Sequence, residues 1–286
     1  MSSTVLVTGA TGFVGTPLVR ELRQAGHTVV CHSIEDGDIA VADLKFSGVR
    51  HVFHLAARTF VPESWEAPRP FYEVNLLGTV NVLEFCRREG ASLTLISSYV
   101  YGKPRSLPIS EVHPLQPLNP YSHTKILAEE TARYYAAQFG VSVTIVRPFN
   151  IYGPGQEGRF LVPTLVQQAI DPHADRIVVA DLRPRRDYVY ISDVVRLVLA
   201  TLGCAPGSVF NVGSGASTSI GDLVELINDC VPVRKQVISE DRFRPDEILD
   251  VVADVTRARR ELGWEPRVGL PDGIRETVNW ALARSG

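Results

Sequence analysis

The residues best suited to do chemistry are Tyr121 and Lys125 in Pro120-Tyr121-Ser122-His123-Thr124-Lys125, which opens a run of helix formers and aromatics reaching about to Gly140. Four apart on a helix, they lie one above the other on the same face. A phenol beside an ammonium is a proton-transfer pair. An isolated tyrosine titrates near ~10, and bringing it to ~7 takes about 4 kcal/mol of preference for the phenolate. One lysine charge at roughly 4 Å in a partly buried site supplies about that much, so the pair can act as acid and base near neutrality. The same spacing also occurs on ordinary helices, and the surrounding elements must decide between the two.

Those elements begin with a β-branched run, Thr4 to Thr8, then Gly9-Ala10-Thr11-Gly12-Phe13-Val14-Gly15, then an amphipathic stretch to about Ala25. This is strand, glycine turn, helix. The glycines let the backbone turn and approach a ligand, and the helix start offers free N–H groups to a pyrophosphate, so a dinucleotide is expected. The next strand, Thr28 to Cys31, ends at His32 and Ser33, without the acid that holds a ribose diol or the Arg that accepts a 2′-phosphate. Glu35 and Asp36 lean towards NAD and NADP stays open; Asp38 and Ile39 are placed to reach the adenine. The third strand, His51 to Leu55, leads into Ala56-Ala57, small residues against which a cofactor can lie. A helix from about Phe71 to Arg88 carries Asn75. A further strand, Leu93 to Ser97, is followed by Ser98-Tyr99-Val100-Tyr101-Gly102, and a serine at a strand's carboxyl end can hydrogen-bond a reacting oxygen.

With these pieces in order, the chain resembles an extended short-chain dehydrogenase/reductase of the NAD-dependent epimerase/dehydratase family, the nucleotide-sugar enzymes. The matching segments are TGATGFVG at 8–15, HLAA at 54–57, VNLLGTVNVLE at 74–84, ISSYVYG at 96–102 and YSHTK at 121–125. RPFNIYGPGQ at 147–156, RRDYVYISDVV at 185–195, NVGSG at 211–215, RPDEILDVVAD at 244–254 and LGWEP at 262–266 follow. The resemblance implies a Rossmann-like doubly wound parallel α/β sheet over residues 1–150. Residues 151–286 would form mainly a smaller nucleotide-sugar-binding lobe, with some segments returning to the first domain. It implies that Tyr121 is the general acid/base, that Lys125 lowers its pKa and holds the nicotinamide ribose, and that Ser97 is the hydroxyl partner, with Ser98 the alternative if the strand register differs. Gly9, Thr11, Gly12, Phe13, Val14 and Gly15 would surround the pyrophosphate. Ser33, Leu55, Ala56, Ala57, Asn75 and Pro148 would also line the cofactor cleft, and Ser98, Tyr99 and Asn150 would meet the sugar. Arg186 and Arg244 match the arginines that clamp a substrate diphosphate, a task for a planar, permanently charged donor.

Beyond about Asn150 the strand and helix alternation is interrupted by Pro154, Pro163, Pro172, Pro184 and Pro206. Arg159 and Arg185 are secondary candidates. Asp187 and Asp193 are expected to organise their loop and cap a helix beginning near Ser192, and Trp264 to pack around a turn. Two departures from the family pattern matter. Only 38 residues separate Gly15 from His54, so a crossover helix is expected to be trimmed. Ser98 and Tyr99 stand where the 4,6-dehydratases carry an Asp-Glu pair, which argues against that chemistry.

Composition is that of a soluble protein, with 45% apolar and 21% charged residues and a formal charge of −3, so no global field favours nucleic acid or an anionic membrane. Cys31, Cys86, Cys204 and Cys230 form no CxxC, no signal segment opens the chain, and a reduced cytoplasmic protein without a metal site is expected. The favoured activity is NAD-dependent epimerisation at sugar C4 of a UDP- or dTDP-hexose. An NAD(P)H-dependent 4-keto-6-deoxysugar reductase, an atypical dehydratase and a catalytically silent dinucleotide-binding scaffold are the alternatives. The resemblance further suggests a homodimer formed through the helices at 71–88 and 121–139.

Overall fold

A computed structural model describes residues 3–242 and 247–285. Six parallel strands form its main sheet, in the spatial order Thr28–His32, Thr4–Thr8, Val49–His54, Ser92–Ile96, Val143–Pro148, Val209–Val212. These are β-branched and aliphatic runs buried on both faces, as a parallel sheet covered by helices requires. Successive residues serve opposite faces. Val5 and Val7 enter one core with Leu18 and Leu22 of the helix Gly15–Gln24, whereas Leu6 packs with Val82, Leu83 and Phe85 of the helix Gly78–Glu89 on the other. The last strand comes from the second half of the chain, and the helix Ile191–Ala200 packs against Gly15–Gln24.

Between Thr28–His32 and Val49–His54 there is only the short 3₁₀ turn Ile34–Asp36, so the chain crosses the first strand with no helix. The remaining segment is pinned by side chains: Asn81 Nδ2 donates to the carbonyls of Ile39 (2.9 Å) and Ala42 (2.7 Å), and Arg88 donates to that of Leu44. The Tyr121–Lys125 helix runs Pro120–Phe139. Asn119 caps it by accepting from Ser122 N at 2.7 Å, Pro120 fits the first helical position, and Gly140 ends it in the left-handed region.

Arg176–Val179 pairs in parallel with Gln236–Ser239, and the helices Leu161–Ile170, Ile220–Asn228 and Leu270–Ser285 pack together. Asp193 does not cap its helix, whose N-cap is Tyr190. Its carboxylate is drawn away to the Arg267 and Val268 amides at 2.9 and 3.0 Å, and its carbonyl accepts from the Trp264 indole. Asp187 does organise its loop, accepting from the amides of Ser214, Gly215 and Ala253. Among the described residues no helix is long and apolar enough to cross a membrane.

Buried between sheet and helix, His51 bonds Ser92 Oγ at 2.7 Å and Thr94 Oγ1 at 3.0 Å. Burial lowers its pKa to about 4 from 6.5. Between those values the unfolded chain binds a proton that the native one refuses, so stability is whole above pH ~6.5 and falls as pH drops towards ~4, by about 3 kcal/mol for this group. Urea unfolding across that range should therefore show a steeper acid loss in the native protein than in His51→Gln. Equal slopes would exclude His51 as a source of acid sensitivity.

Candidate active site

The glycine turn is built by close packing. Gly9 has φ +68°, and its amide and that of Ala10 both donate to His32 O, at 2.8 and 3.3 Å. A Cβ on Gly9 would lie 2.8 Å from Ala56 N, and one on Gly15 would lie 2.1 Å from Gly9 O, both backbone atoms that have no room to yield. The helix Gly15–Gln24 then starts with no side-chain cap; Thr16 N donates to Gly12 O, Leu18 N to Val14 O, and Pro17 has no N–H, so the helix offers a ligand mainly its positive end and the amide of Gly15. A turn crowded by its own backbone, opening on an uncapped helix and a cavity, fits a dinucleotide pyrophosphate.

That cavity holds about 670 Å³. The turn contributes Gly9, Gly12, Phe13, Val14 and Gly15; Leu55 and Ala57 follow the third strand; Ser97 and Ser98 follow the fourth. Tyr121 and Lys125 come from their helix, and Pro148 and Asn150 from the end of the fifth strand. Other expected residues lie outside it. Thr11 lines an adjoining groove with Thr16 and Arg20, and its amide donates to Ser33 Oγ at 3.2 Å. Asp38 accepts from the Ala40 amide, Ile39 is a core residue, and Ala56 packs beneath Gly9.

Asn75 is 1% exposed and faces inward, contrary to the expectation that it lines the cleft. Its Oδ1 accepts from Arg58 N at 2.8 Å, while Nδ2 donates to Arg58 O and to Thr124 Oγ1, each at 3.0 Å. It sits in a π-helical segment, Glu73–Leu77, that interrupts the helix expected from 71 to 88. The extra residue in that turn carries Asn75 across to the Tyr121–Lys125 helix, a use to which such bulges are often put. His54 extends the scaffold, bonded to Thr8 Oγ1 at 2.7 Å and Thr79 Oγ1 at 3.1 Å. Burial, and secondarily the Lys125 charge, lowers its pKa to about 3, so it stands neutral.

Lys125 is 4% exposed and donates from Nζ to Ile96 O at 2.6 Å. Burial brings its pKa down to about 8, with the Glu129 carboxylate opposing the shift. Tyr121 keeps part of its surface open, yet its phenol is enclosed and burial holds its pKa above the ordinary value; the nearby Ser98 hydroxyl pulls the other way. Burial outweighs any lowering by Lys125, whose ammonium donates to Ile96 O. It is Ser98, not Ser97, that meets the phenol. Ser97 also lines the cavity, but its Oγ is buried and approaches Glu129 without a hydrogen bond of good geometry.

Tyr99 donates its hydroxyl to Gly102 O at 2.5 Å and stacks edge-on against Tyr101 and Phe149, so it acts as wall packing. Arg186 is outside the cavity lining, held by Glu247 and by the carbonyls of Arg185 and Ile248 at 2.8 and 2.7 Å. Arg185 is engaged by Ser217. Arg244 lies outside the described residues.

Three further residues complete the cavity wall. Glu63 is shared by two arginines of the cavity wall, Arg58 at 2.6 Å and Arg159 at 3.1 Å, and Arg159 also stacks on Phe60. Tyr188 and Gln156 line the cavity with oxygens, Tyr188 Oη and Gln156 Oε1, that are buried and have no hydrogen-bond partner among the described residues. Tyr188 belongs to RRDYVY and Gln156 to YGPGQ.

A parallel sheet whose carboxyl ends meet a glycine turn, a strand-end serine and a Tyr–x–x–x–Lys helix defines a nicotinamide-dinucleotide enzyme of the short-chain dehydrogenase/reductase type. The chain belongs to the NAD dependent epimerase/dehydratase family, whose model matches residues 5–213. It is 31% identical to a putative UDP-glucose 4-epimerase of Methanocaldococcus jannaschii, covering 96% of this chain and 97% of that one. It is also 32% identical to the GDP-6-deoxy-D-mannose reductase of Pseudomonas aeruginosa, covering 98% and 97%. The solved structure of MoeE5 in complex with UDP-glucose and NAD superposes with a TM-score of 0.91 at 30% identity, covering 99% and 100%.

Because the Gly15 Cβ would meet backbone on two sides, Gly15→Ala should lower stability by about 1–3 kcal/mol and weaken NAD binding at least tenfold. Denaturant unfolding and calorimetric titration with NAD would test this, and wild-type values for both would remove the packing argument.

Proposed function

We propose that this enzyme is a nucleotide-sugar 4-epimerase acting on a UDP- or dTDP-hexose. One observation carries the reading: a single cavity is lined by the glycine turn, by Tyr121, Lys125 and Ser98, and by the unpartnered oxygens of Gln156 and Tyr188. Gln156 spends its Nε2 on Ile151 O at 2.9 Å, so its free Oε1 awaits a donor, which a sugar hydroxyl supplies. The similarity to a UDP-glucose 4-epimerase supports the same reading.

Bound NAD would supply a hydride acceptor and donor, held by the glycine turn and by Lys125. Tyr121 takes the proton of the C4 hydroxyl while Ser98 donates to the same oxygen. To act as base Tyr121 must first be the phenolate, its own proton having passed to bulk solvent; burial opposes that loss, and the Lys125 charge one helical turn away favours it. Tyr121 returns the proton once the sugar has presented its other face, and no net redox results. Ser98 in the place of an acid removes the base needed for water elimination.

The reductase reading is kept alive by the similarity to the Pseudomonas enzyme. Cofactor handling separates the two. NAD retained near stoichiometrically through gel filtration, with UDP-glucose and UDP-galactose interconverting without added cofactor, is the expected result; rapid exchange of NADPH and reduction of a 4-keto-6-deoxy sugar would replace it. Tyr121→Phe should cut turnover about 10²- to 10⁴-fold while leaving dinucleotide retention intact. An unchanged rate would dismiss Tyr121 as the acid/base.

We also propose a homodimer formed through the helical stretch 68–89 and the helix Pro120–Phe139, which expose Leu77 at 52%, Tyr134 at 60% and Phe139 at 49%. Sedimentation should show a dimer at micromolar protein. A monomer throughout would end that proposal.

A further inference from the structure

Behind the Tyr121–Lys125 centre lies a second charge cluster, built on a buried carboxylate–guanidinium pair. Glu129 follows Lys125 by one helical turn on the same face and is 0% exposed. Its carboxylate is gripped by Arg147 through Nε at 2.9 Å and Nη2 at 2.6 Å, and by Arg133 at 2.7 Å. Arg147, 2% exposed, is itself fixed by Tyr101, whose hydroxyl accepts from Nη1 at 3.0 Å and whose ring lies 5.1 Å beneath the guanidinium. The Glu111 carbonyl takes a further Arg147 bond. Such a pair is expensive to bury and often contributes little net stability, so stability alone is a weak reason for it.

We propose that Glu129 is a positioning residue for the Tyr121–Lys125 centre: its carboxylate, locked in place by Arg147, holds Lys125 in the charged form that the tyrosine needs. The proposal rests on the reading of that pair as the reaction centre. The groups around Lys125 leave Glu129 as its counter-charge. Tyr121 lies one turn back on the same helix, and neutral His54 faces it from the strand Val49–His54. Ile96 offers only a carbonyl, and Arg147, on the strand Val143–Pro148, stands behind Glu129 and is itself positive. Burial works against the ammonium and Glu129 works for it, leaving Lys125 with a pKa of about 8. Ser97 fits the same arrangement, since its buried hydroxyl lies on the Glu129 side.

The chain has four lysines, Lys45, Lys103, Lys125 and Lys235, so ¹³Cε-lysine NMR of the full-length, NAD-loaded protein can follow each titration, with Lys125→Met assigning the signal. In Glu129→Gln the Lys125 midpoint should fall by about one pH unit, the lower end of the effect of a nearby opposite charge, because the Glu129 charge one helical turn away is shared with two arginines. The alkaline edge of turnover, measured with UDP-glucose, should move down with it, whereas Glu129→Asp should restore both. Because Glu129→Gln leaves Arg147 buried without its partner, Glu129→Gln/Arg147→Met serves as the second variant, and its midpoint should also lie below that of the native protein. A Lys125 midpoint that stays in place in either folded variant overturns the proposal. A midpoint that falls while the alkaline edge does not follow leaves the charge coupling standing but refutes the reaction-centre reading, and with it the role proposed for Glu129.

Discussion

Keeping a lysine ammonium out of water is the constraint from which the rest of this site follows. The penalty of burying such a charge is several kcal/mol unless nearby groups offset it. At 4% exposure Lys125 has two sources of compensation, the Ile96 carbonyl and the Glu129 carboxylate. The first ties the helix to the end of a sheet strand and the second sets the helix's phase. With both satisfied, Tyr121 has one possible place, a turn earlier on the same face, where it opens into the cavity beside the glycine turn. Asn75 secures the helix from another side through Thr124, and the π-helical turn that carries it is how the neighbouring helix reaches that far.

The same logic joins the two halves of the chain. Arg147 bonds Tyr101, whose hydroxyl passes to Asn211 Oδ1 at 2.5 Å on the sixth sheet strand. Asn211 in turn takes the Glu111 carboxylate on its amide and gives its Nδ2 to Ile109 O, next to the Ile109–Ala253 bridge. Asp187, buried beside this system, collects three amides from two separate loops. Buried polar networks of this kind carry a heavy penalty when incomplete and specify one arrangement when complete. Motifs such as NVGSG and RRDYVY therefore owe much of their pattern to holding the second half against the sheet, and only some of their residues reach the cavity.

Strand, glycine turn and capped helix were legible because each is a local matter. Pro120 at the start and Gly140 at the end mark the Tyr121–Lys125 helix by backbone chemistry alone. The short link before His54 announced the missing crossover helix by length. The errors were different in kind. Asp193 had the right type and position for a cap, but amides 74 and 75 residues away took its carboxylate. Asn75 sits in the middle of a helical stretch, and nothing local says that a π-turn rotates it away from the cleft.

What the residues by themselves determined was the inventory and its order: a dinucleotide turn, a Tyr–Lys pair one helical turn apart, and a serine at a strand end. Backbone geometry and short-range spacing carry that information. Which serine lies near the phenol, which way the tyrosine's pKa moves, and that Arg186 is already held by Glu247 were decided only by tertiary structure. Each depends on how deeply a group is enclosed and on charges brought from distant parts of the chain. Ser97 and Ser98 are neighbours in sequence but lie near different groups, one near Glu129 and the other near Tyr121. Desolvation and long-range pairing are properties of the packed molecule, and no spacing along the chain encodes them.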